Sequence, residues 1–386
     1  MTQKHVPFRY DYVGSFLRPE ELKVAREKFQ NNEITKEELK KVEDYYILDL
    51  IEKQKKAGYH TITDGEFRRG WWHLDFFWGL NGISYQKSSQ GLRFHDEETK
   101  AETAVVVGKI SGENHPFVEH FKFVKAQEDE NTIAKQTIPS PAQLLIQLRL
   151  PEFIGETRKF YPTDDELKAD IVKAYQTVIH ELYAAGCRNL QLDDCTWTLY
   201  ADRAFWKIFN ITEESLRLIA EEEIAINNAA IANHPEDMVI TTHVCRGNFH
   251  STYASEGAYD PIAPYLFAKE DVDAFYLEYD DARSGGFEPL KYIPKGKKVV
   301  LGLITTKSAE LEDKNHIIRR IHDAARYVPL ENLYLSPQCG FASTEEGNKL
   351  TEEEQWAKLA LVKDIAESVW GRLKNSCTHG KILSKG

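Results

Sequence analysis

Short apolar runs alternate along this chain with longer stretches whose apolar positions recur at helical spacing. The runs that read as β-strands are 8–16, 61–63, 135–138, 189–192, 238–242, 274–277, 299–304 and 333–335. The principal helices are predicted over 19–29, 35–57, 164–185, 213–233, 315–327 and 352–370. Alternating strands and helices imply a parallel sheet. Eight such units imply that the sheet closes into a (β/α)8 barrel, the TIM barrel of the α/β class.

The whole chain, 1–386, is interpreted as one barrel domain with catalytic function, because barrels of this size commonly form a single unit. An open doubly wound sheet is the alternative. No glycine-rich phosphate turn follows the first strand to support that alternative. Since barrel enzymes carry their active sites at the C-terminal ends of the strands, we expect the functional residues at those ends.

Residues 71–131 interrupt the alternation and are interpreted as an insertion beside the mouth of the barrel. The segment begins with an aromatic cluster, WWHLDFFW at 71–78. Two apolar runs, 104–110 and 120–125, predict a two-stranded hairpin within it. The aromatic residues either take part in a ligand site or only pack the hairpin, and both interpretations stay open.

Composition narrows the class of protein. The formal net charge is −12 and no sustained block of Lys and Arg is present, so we do not expect nucleic-acid binding. No apolar run approaches the ~18 residues that span a membrane, and the N-terminal residues lack the apolar core of a signal peptide. Five cysteines in this chain fit a reducing cytoplasm better than a disulfide framework. We therefore expect a cytoplasmic protein that acts on small molecules, with no role assigned to Cys187, Cys195 and Cys377.

Four residues at three predicted strand ends carry the chemistry of a metal site. His243 and Cys245 follow the fifth strand, Glu278 follows the sixth and Cys339 follows the eighth. Imidazole, two thiolates and a carboxylate suit Zn²⁺, a borderline-soft ion that favours tetrahedral nitrogen and sulfur ligands. Taken singly, each residue is better interpreted as an ordinary buried cysteine or an exposed glutamate. Because three strand ends deliver compatible ligands together, the sequence predicts a zinc site.

Further polar residues stand at the same ends of the predicted strands. Ser15 follows the first strand and Glu66 lies just beyond the second. Asp193 and Asp194 follow the fourth. Polar groups gathered at one mouth of a barrel are what a catalytic site requires.

The order of these motifs resembles the cobalamin-independent methionine synthase family, and in particular a short single-barrel form of its C-terminal catalytic half. The motifs are VGSF at 13–16, GE at 65–66, QLDD at 191–194, HVC at 243–245, Glu278, and PQCG at 337–340. The short GSF sequence alone is a weak signal, whereas the ordered set along the strands is specific. The resemblance extends over nearly the whole chain and is least clear at 71–131.

The resemblance implies a zinc-dependent S-methyltransferase that converts homocysteine to methionine. The zinc ligands it implies are His243, Cys245, Glu278 and Cys339. It also implies that Glu66 and Asp193 hold the amino group of homocysteine and serve catalysis, and that Ser15 binds its carboxylate. Metal coordination removes the proton of a thiol outright, so zinc would supply a thiolate nucleophile. Glu278, the hardest donor of the four, is the ligand expected to give way.

Each substrate contact has a structural alternative. Glu66 and Asp193 are also suited to salt bridges with Arg68 or Arg69. Asp194 is placed as well as its neighbour to be the working carboxylate. Ser15 is also suited to capping the helix that follows it.

The sequence departs from the family where the methyl donor would bind. Full-length members have a second, N-terminal barrel, which has no counterpart here. The family's folate platform uses a tryptophan that is missing from 138–144, and a proposed acid histidine is missing from 302–307. The donor is therefore expected to be a methyltetrahydrofolate used poorly, a methylated corrinoid protein, or a small sulfonium or thioether compound. The competing functions are a lyase or decarboxylase on the same barrel and a non-catalytic zinc- or thiol-binding protein.

Overall fold

The computed structural model describes residues 6–371, so Cys377 lies outside the described part of the chain. The strands are β1 (Thr61–Ile62), β2 (Asn81–Lys87), β3 (Arg93–Phe94), β4 (Glu97–Glu98), β5 (Glu102–Ser111), β6 (Ile133–Ala134), β7 (Gln136–Pro139), β8 (Asn189–Asp194), β9 (Val239–Val244), β10 (Ala274–Glu278), β11 (Lys298–Ile304) and β12 (Leu333–Pro337). The α-helices are α1 (Glu20–Gln30), α2 (Lys36–Lys56), α3 (Leu74–Gly79), α4 (Pro116–Lys125), α5 (Pro141–Leu148), α6 (Ile154–Phe160), α7 (Asp164–Ala184), α8 (Thr196–Ala201), α9 (Arg203–Phe209), α10 (Glu213–Ile231), α11 (Leu266–Lys269), α12 (Lys314–Ala324) and α13 (Glu352–Trp370).

Six parallel strands form a continuous sheet in the order β12-β11-β10-β9-β8-β7. β6 pairs with β1 in parallel, and a single residue separates β6 from β7 in sequence. The segment before α1 runs beside β12, where Tyr10 forms a parallel bridge with Leu335. The same segment reaches the end of β1, because Phe16 N donates to Gly65 O. These contacts close the predicted (β/α)8 barrel.

The predicted first strand, 8–16, forms only that one bridge instead of a regular ladder. At Gly14, whose φ is +152°, the carbonyl accepts from the side-chain hydroxyl of Thr63 instead of a backbone N–H, so the ladder to β1 is not regular there. The other predicted strands are found with shifted ends. β8, β9 and β10 each extend one or two residues further than expected, so Asp193, His243 and Glu278 belong to the strands themselves. Their positions are therefore fixed by the ladders of the barrel.

The insertion contains a hairpin, but its strands differ from the prediction. β5 covers the predicted run 104–110 and pairs antiparallel with β2. The predicted partner, 120–125, is wrong, because it belongs to helix α4. His115 caps that helix, Pro116 occupies its first turn, and the buried side chains have helical spacing, at Phe117, Val118, Phe121 and Val124.

Side chains fill the barrel beneath its mouth. Lys135 Nζ, fully buried, donates to Tyr12 O at 2.6 Å and to Gln191 Oε1 at 3.2 Å. Gln191 Nε2 in turn donates to Asp193 Oδ1 at 2.7 Å. This buried polar layer therefore supports a predicted site residue from below. Within residues 6–371 no helix has both the length and the apolar character needed to cross a membrane.

Candidate metal centre and substrate cavity

The structure brings the four predicted ligands together at the mouth of the barrel. They come from the ends of β9, β10 and β12, and their candidate ligand atoms all lie within 4.8 Å of one another. The residues are His243, Cys245, Glu278 and Cys339. All four are buried, and Glu278 has no exposed surface. Four donor atoms from three strand ends thus lie close together.

The distances and the unused atoms of this group fit a metal ion. Cys245 Sγ lies 3.6 Å from Cys339 Sγ. Two thiolates bound tetrahedrally at ~2.3 Å would stand about 3.8 Å apart. Glu278 Oε1 accepts from Arg246 N at 2.8 Å, while Oε2 is buried with no hydrogen-bond partner among residues 6–371. A buried carboxylate oxygen without a partner is costly, and a cation would satisfy it.

The two thiols would stay protonated without a cation. A hydrogen bond with Cys195 raises the pKa of Cys245 well above its usual value; one with Cys339 opposes the shift, and burial adds to it. A hydrogen bond with Cys245 and burial likewise raise the pKa of Cys339. Since a thiolate, not a thiol, is the metal ligand, binding of a cation would have to remove both protons.

Contacts outside this group hold its imidazole. His243 Nδ1 lies 3.2 Å from Asp193 Oδ1, and Nε2 lies 3.2 Å from Gln338 O. With a carboxylate on Nδ1, Nε2 is the ring nitrogen that would bind a metal, in place of its contact with Gln338 O. Asp193 is therefore placed to orient a metal ligand as well as to meet a substrate.

The neighbouring carboxylate, Asp194, faces away from the cavity. Successive side chains of a strand point to opposite faces, so only one of the pair can point into the mouth. Asp194 Oδ1 accepts from Thr196 N at 2.8 Å, and Oδ2 accepts from Asn227 Nδ2 at 3.3 Å. The geometry therefore favours Asp193 over the alternative considered from sequence.

Glu66 is held in the cavity wall by a backbone conformation uncommon outside glycine. Its φ is +62°, next to Gly65 at +66°, and its N–H donates to Asp64 Oδ1. Oε1 accepts from Thr137 Oγ1 at 2.9 Å and from Arg69 at 3.2 Å. Oε2 has no hydrogen-bond partner among residues 6–371. The salt bridge between Glu66 and Arg69 that was considered from sequence therefore exists, and Glu66 Oε2 stays available for a ligand.

The protonation of Glu66 responds to these surroundings. Burial raises its pKa to about 6, Arg69 opposes the shift and Asp193 adds to it. The carboxyl group is therefore mostly ionised at neutral pH and would suit a cationic partner. The other arginine considered from sequence, Arg68, pairs with Glu43 and Asp44 instead.

Ser15 lines the same cavity and does not cap a helix. Helix α1 begins at Glu20, with Pro19 at its N-cap position. Ser15 Oγ accepts from Ala342 N at 3.4 Å. A side chain on Gly340 would place its Cβ 1.8 Å from that hydroxyl oxygen, so the glycine of the PQCG motif leaves room for Ser15.

A cavity of about 280 Å³ joins these residues. Its floor carries three of the candidate ligands together with Ser15, Glu66 and Asp193. Its roof comes largely from the insertion, through Trp71, Trp72, His73, Leu92 and Phe94. Burial lowers the pKa of His73 to about 3, so this imidazole is neutral. The insertion thus lines the cavity as well as packing the hairpin, and a ligand role for its aromatic residues stays a prediction.

Two residues near the centre were not singled out from sequence. Cys195 lies beside Cys245 and lines the cavity. Lys307 lies 4.0 Å from Glu278 Oε2. Cys195 directly follows the two aspartates of β8, which was a usable signal. Lys307 carries no such signal in the sequence, because the residue it faces, Glu278, belongs to another strand.

The barrel and the donor set at its mouth define a (β/α)8 enzyme built around a candidate metal centre. The family described as the catalytic domain of cobalamin-independent synthase matches residues 10–368, and the chain belongs to this family. The resemblance drawn from the motifs is therefore confirmed. Membership identifies the chain as an enzyme of the methyltransferase class, which argues against the lyase and the non-catalytic alternatives.

Individual relatives agree with this assignment. YxjG of Bacillus subtilis, an uncharacterised protein, is 45% identical over 375 residues, covering 96% of this chain and 97% of the relative. A methionine synthase of Saccharolobus solfataricus is 22% identical over 361 residues, covering 89% and 94%. A crystal structure of a putative vitamin-B12 independent methionine synthase from Listeria monocytogenes is 40% identical, with a TM-score of 0.74, covering 95% of this chain and 99% of that one.

Proposed function

We propose that this enzyme is a zinc-dependent S-methyltransferase that methylates homocysteine to methionine. The observation that carries the proposal is a cavity with two adjoining parts. On one side four donors of nitrogen, sulfur and oxygen lie within 4.8 Å of one another. On the other side Glu66 presents a buried carboxylate oxygen that has no hydrogen-bond partner among residues 6–371. The first part suits a metal that activates a thiol, and the second suits an ammonium group. An amino acid with a thiol side chain needs both.

Nitrogen and sulfur donors in a four-membered set favour Zn²⁺ over harder cations. When bound there, zinc would supply the positive charge that keeps a substrate thiol, whose pKa is ordinarily about 8.5, ionised at neutral pH. The sulfur would then form a bond to the methyl carbon, while the bond from that carbon to the donor breaks and its electron pair leaves with the donor. The thiol proton would pass to solvent.

The chain's own residues would orient the substrate. The ammonium group of homocysteine would meet Glu66 Oε2 and Asp193, and Ser15 would meet its carboxylate. The enclosing insertion would exclude water from the reacting sulfur, since Trp71 and Phe94 roof the cavity. Removing water strengthens each of these charged contacts.

A small methyl donor fits the cavity better than a folate polyglutamate. Homocysteine and the methyl-bearing part of the donor would share this one cavity, whose water-accessible interior is about 280 Å³. In the stretch 138–144, where the family's folate platform would carry a tryptophan, the residue that lines this cavity is Gln143. A sulfonium or thioether compound, or a methyl group presented by a corrinoid, needs no flat pterin slot.

The test is to measure methionine formed from homocysteine by the zinc-loaded protein with each class of donor. We expect stoichiometric zinc, release of about one proton per site when homocysteine is added, and methionine with at least one donor. The matched control is Cys187→Ser, which removes a buried thiol remote from the cavity lining. A protein that binds zinc but neither takes up homocysteine nor releases a proton would contradict the proposal.

A further inference from the structure

Lys307 and Glu278 form a buried pair whose facing atoms have no other partner in the described part of the chain. Lys307 Nζ lies 4.0 Å from Glu278 Oε2, and the two side chains are 9% and 0% exposed. Neither atom has a hydrogen-bond partner among residues 6–371. Among residues 6–371, Glu278 is the acidic residue that forms an ion pair with Lys307. A buried ammonium group facing one carboxylate oxygen calls for a functional explanation.

The backbone beneath Lys307 is fixed to the loop that carries Cys339. Thr306 N donates to Gln338 Oε1 at 2.6 Å, and Thr306 Oγ1 donates to Gly340 O at 3.0 Å. Asn348 Nδ2 donates to Thr306 O at 2.9 Å. These hydrogen bonds hold the backbone next to Lys307 in place, so the lysine would adjust through its side chain.

The order of the strands explains why a lysine stands here. β9, β10 and β12 each supply candidate ligands, while β11, which lies between β10 and β12, supplies none. Lys307 follows the end of β11 and fills that place. At the end of β11, the barrel therefore carries the ammonium group of Lys307 instead of a candidate metal ligand.

The separation of 4.0 Å leaves this pair incomplete. A hydrogen-bonded ammonium–carboxylate pair has its atoms about 2.7–2.9 Å apart, so a shift of just over 1 Å would complete it. Arg246 N holds Oε1 of the same carboxylate at 2.8 Å. With Oε1 held by this bond, rotation of the carboxylate would move Oε2 from the metal centre toward Lys307.

We propose that Lys307 is a positioning residue that receives the Glu278 carboxylate when a substrate thiol takes its place at the metal centre. This inference rests on the proposed function. Glu278 is the hardest of the four donors and so the one that a sulfur displaces most readily. A displaced Glu278 carboxylate would be a buried charge without a partner, and the free-energy cost of that charge would oppose substrate binding. An ion pair with the Lys307 ammonium group removes this cost.

The experiment compares wild type with Lys307→Met, Lys307→Gln and Lys307→Arg, each as the zinc protein and as the Co²⁺-substituted protein. Three readouts are needed: zinc affinity by chelator competition, the dissociation constant of homocysteine, and the visible cobalt spectrum, which reports replacement of an oxygen ligand by sulfur. We expect Met and Gln to weaken homocysteine by about tenfold or more without weakening zinc. Arg should restore most of that affinity. Lys314→Met on α12 removes the same charge at an exposed ion pair and is the control.

The outcomes separate the two proposals. A wild-type protein whose cobalt spectrum does not change with homocysteine would overturn the proposed function, and this inference with it. A wild-type response that persists unchanged in both Lys307→Met and Lys307→Gln would overturn the inference alone, even if turnover slowed. Loss of zinc affinity in those variants would also overturn it, because Lys307 would then act in building the site.

Discussion

The carboxylate of Asp193 lies against the imidazole of His243, with Oδ1 at 3.2 Å from Nδ1. Both residues belong to strands, since Asp193 and His243 are register partners in β8 and β9. Burial opposes protonation of His243, but hydrogen bonds to Asp193 and Cys339 outweigh it and raise its pKa well above the usual value. The candidate substrate-binding carboxylate and one of the candidate metal ligands are therefore in direct contact.

This contact predicts that Asp193→Asn affects two kinds of binding. Loss of the negative charge should weaken homocysteine, and loss of support for the His243 ring should lower zinc affinity about tenfold. Glu66→Gln should weaken homocysteine by about 2–5 kcal/mol and leave zinc affinity unchanged, because Glu66 touches none of the four candidate ligands. Isothermal titration of each variant with zinc and with homocysteine measures both effects. Equal zinc affinity in the two variants would refute the dual role of Asp193.

A second prediction concerns the thiols. Cys245→Ser and Cys339→Ser should each lose most bound zinc while the barrel stays folded, because both residues lie past the last residue of a strand. Metal analysis and circular dichroism of the purified variants test this, with Cys187→Ser as the variant that should keep its metal. Full zinc occupancy in either variant would show that the four-ligand assignment is wrong. Unfolding of both would make the metal structural.

The sequence predicted the barrel well because its signals are local. Most of the predicted strands are short apolar runs followed by a helix, and a helix can carry its own start signal, as at Thr163, whose side chain accepts from Glu166 N. The prediction of a strand over 120–125 is wrong because a short apolar run fits either a strand or a buried helix. The start signal of α4, His115 followed by Pro116, lay several residues before the run.

The candidate ligands were predictable for a related reason. Each stands at a strand end, and parallel strands bring such ends to one mouth. The partners of those residues were not predictable, because they depend on contacts across strands. Lys307 facing Glu278 and Cys195 beside Cys245 join segments far apart in sequence, and no local pattern marks either pair.

A third prediction uses Glu270, a buried carboxyl group away from the cavity. Oε1 accepts from Asn227 Nδ2 at 3.0 Å and Oε2 has no hydrogen-bond partner in the described chain. Burial raises its pKa to about 8; Asp194 adds to the shift and Asn227 opposes it. Because the folded-state pKa lies above the ordinary 4.5, the stability from this group is complete below pH 4.5 and is lost as pH rises toward 8.

Glu270→Gln should therefore gain stability relative to wild type by about 1.4 kcal/mol per pH unit between pH 5 and 7. Urea unfolding at those two pH values measures the difference. The matched control is Glu288→Gln, which makes the same change at an exposed glutamate. A pH-independent difference for Glu270→Gln would show that Glu270 ionises in the folded protein as it does in the unfolded chain.

The last prediction concerns the methyl donor. A pterin needs an aromatic or apolar slot, and its glutamate tail needs basic groups. The net charge of −12 disfavours a polyanion, and Lys100 and Lys349 beside the roof are already paired with Glu345 and Glu97. We therefore expect slow methionine formation from monoglutamate and triglutamate methyltetrahydrofolate alike, and faster turnover with a smaller donor or a corrinoid-bound methyl group. The control variant is Trp78→Ala, because the indole of Trp78 lies outside the cavity lining. Fast turnover with the triglutamate that is lost in Trp72→Ala and kept in Trp78→Ala would contradict this expectation. The insertion would then be a folate platform.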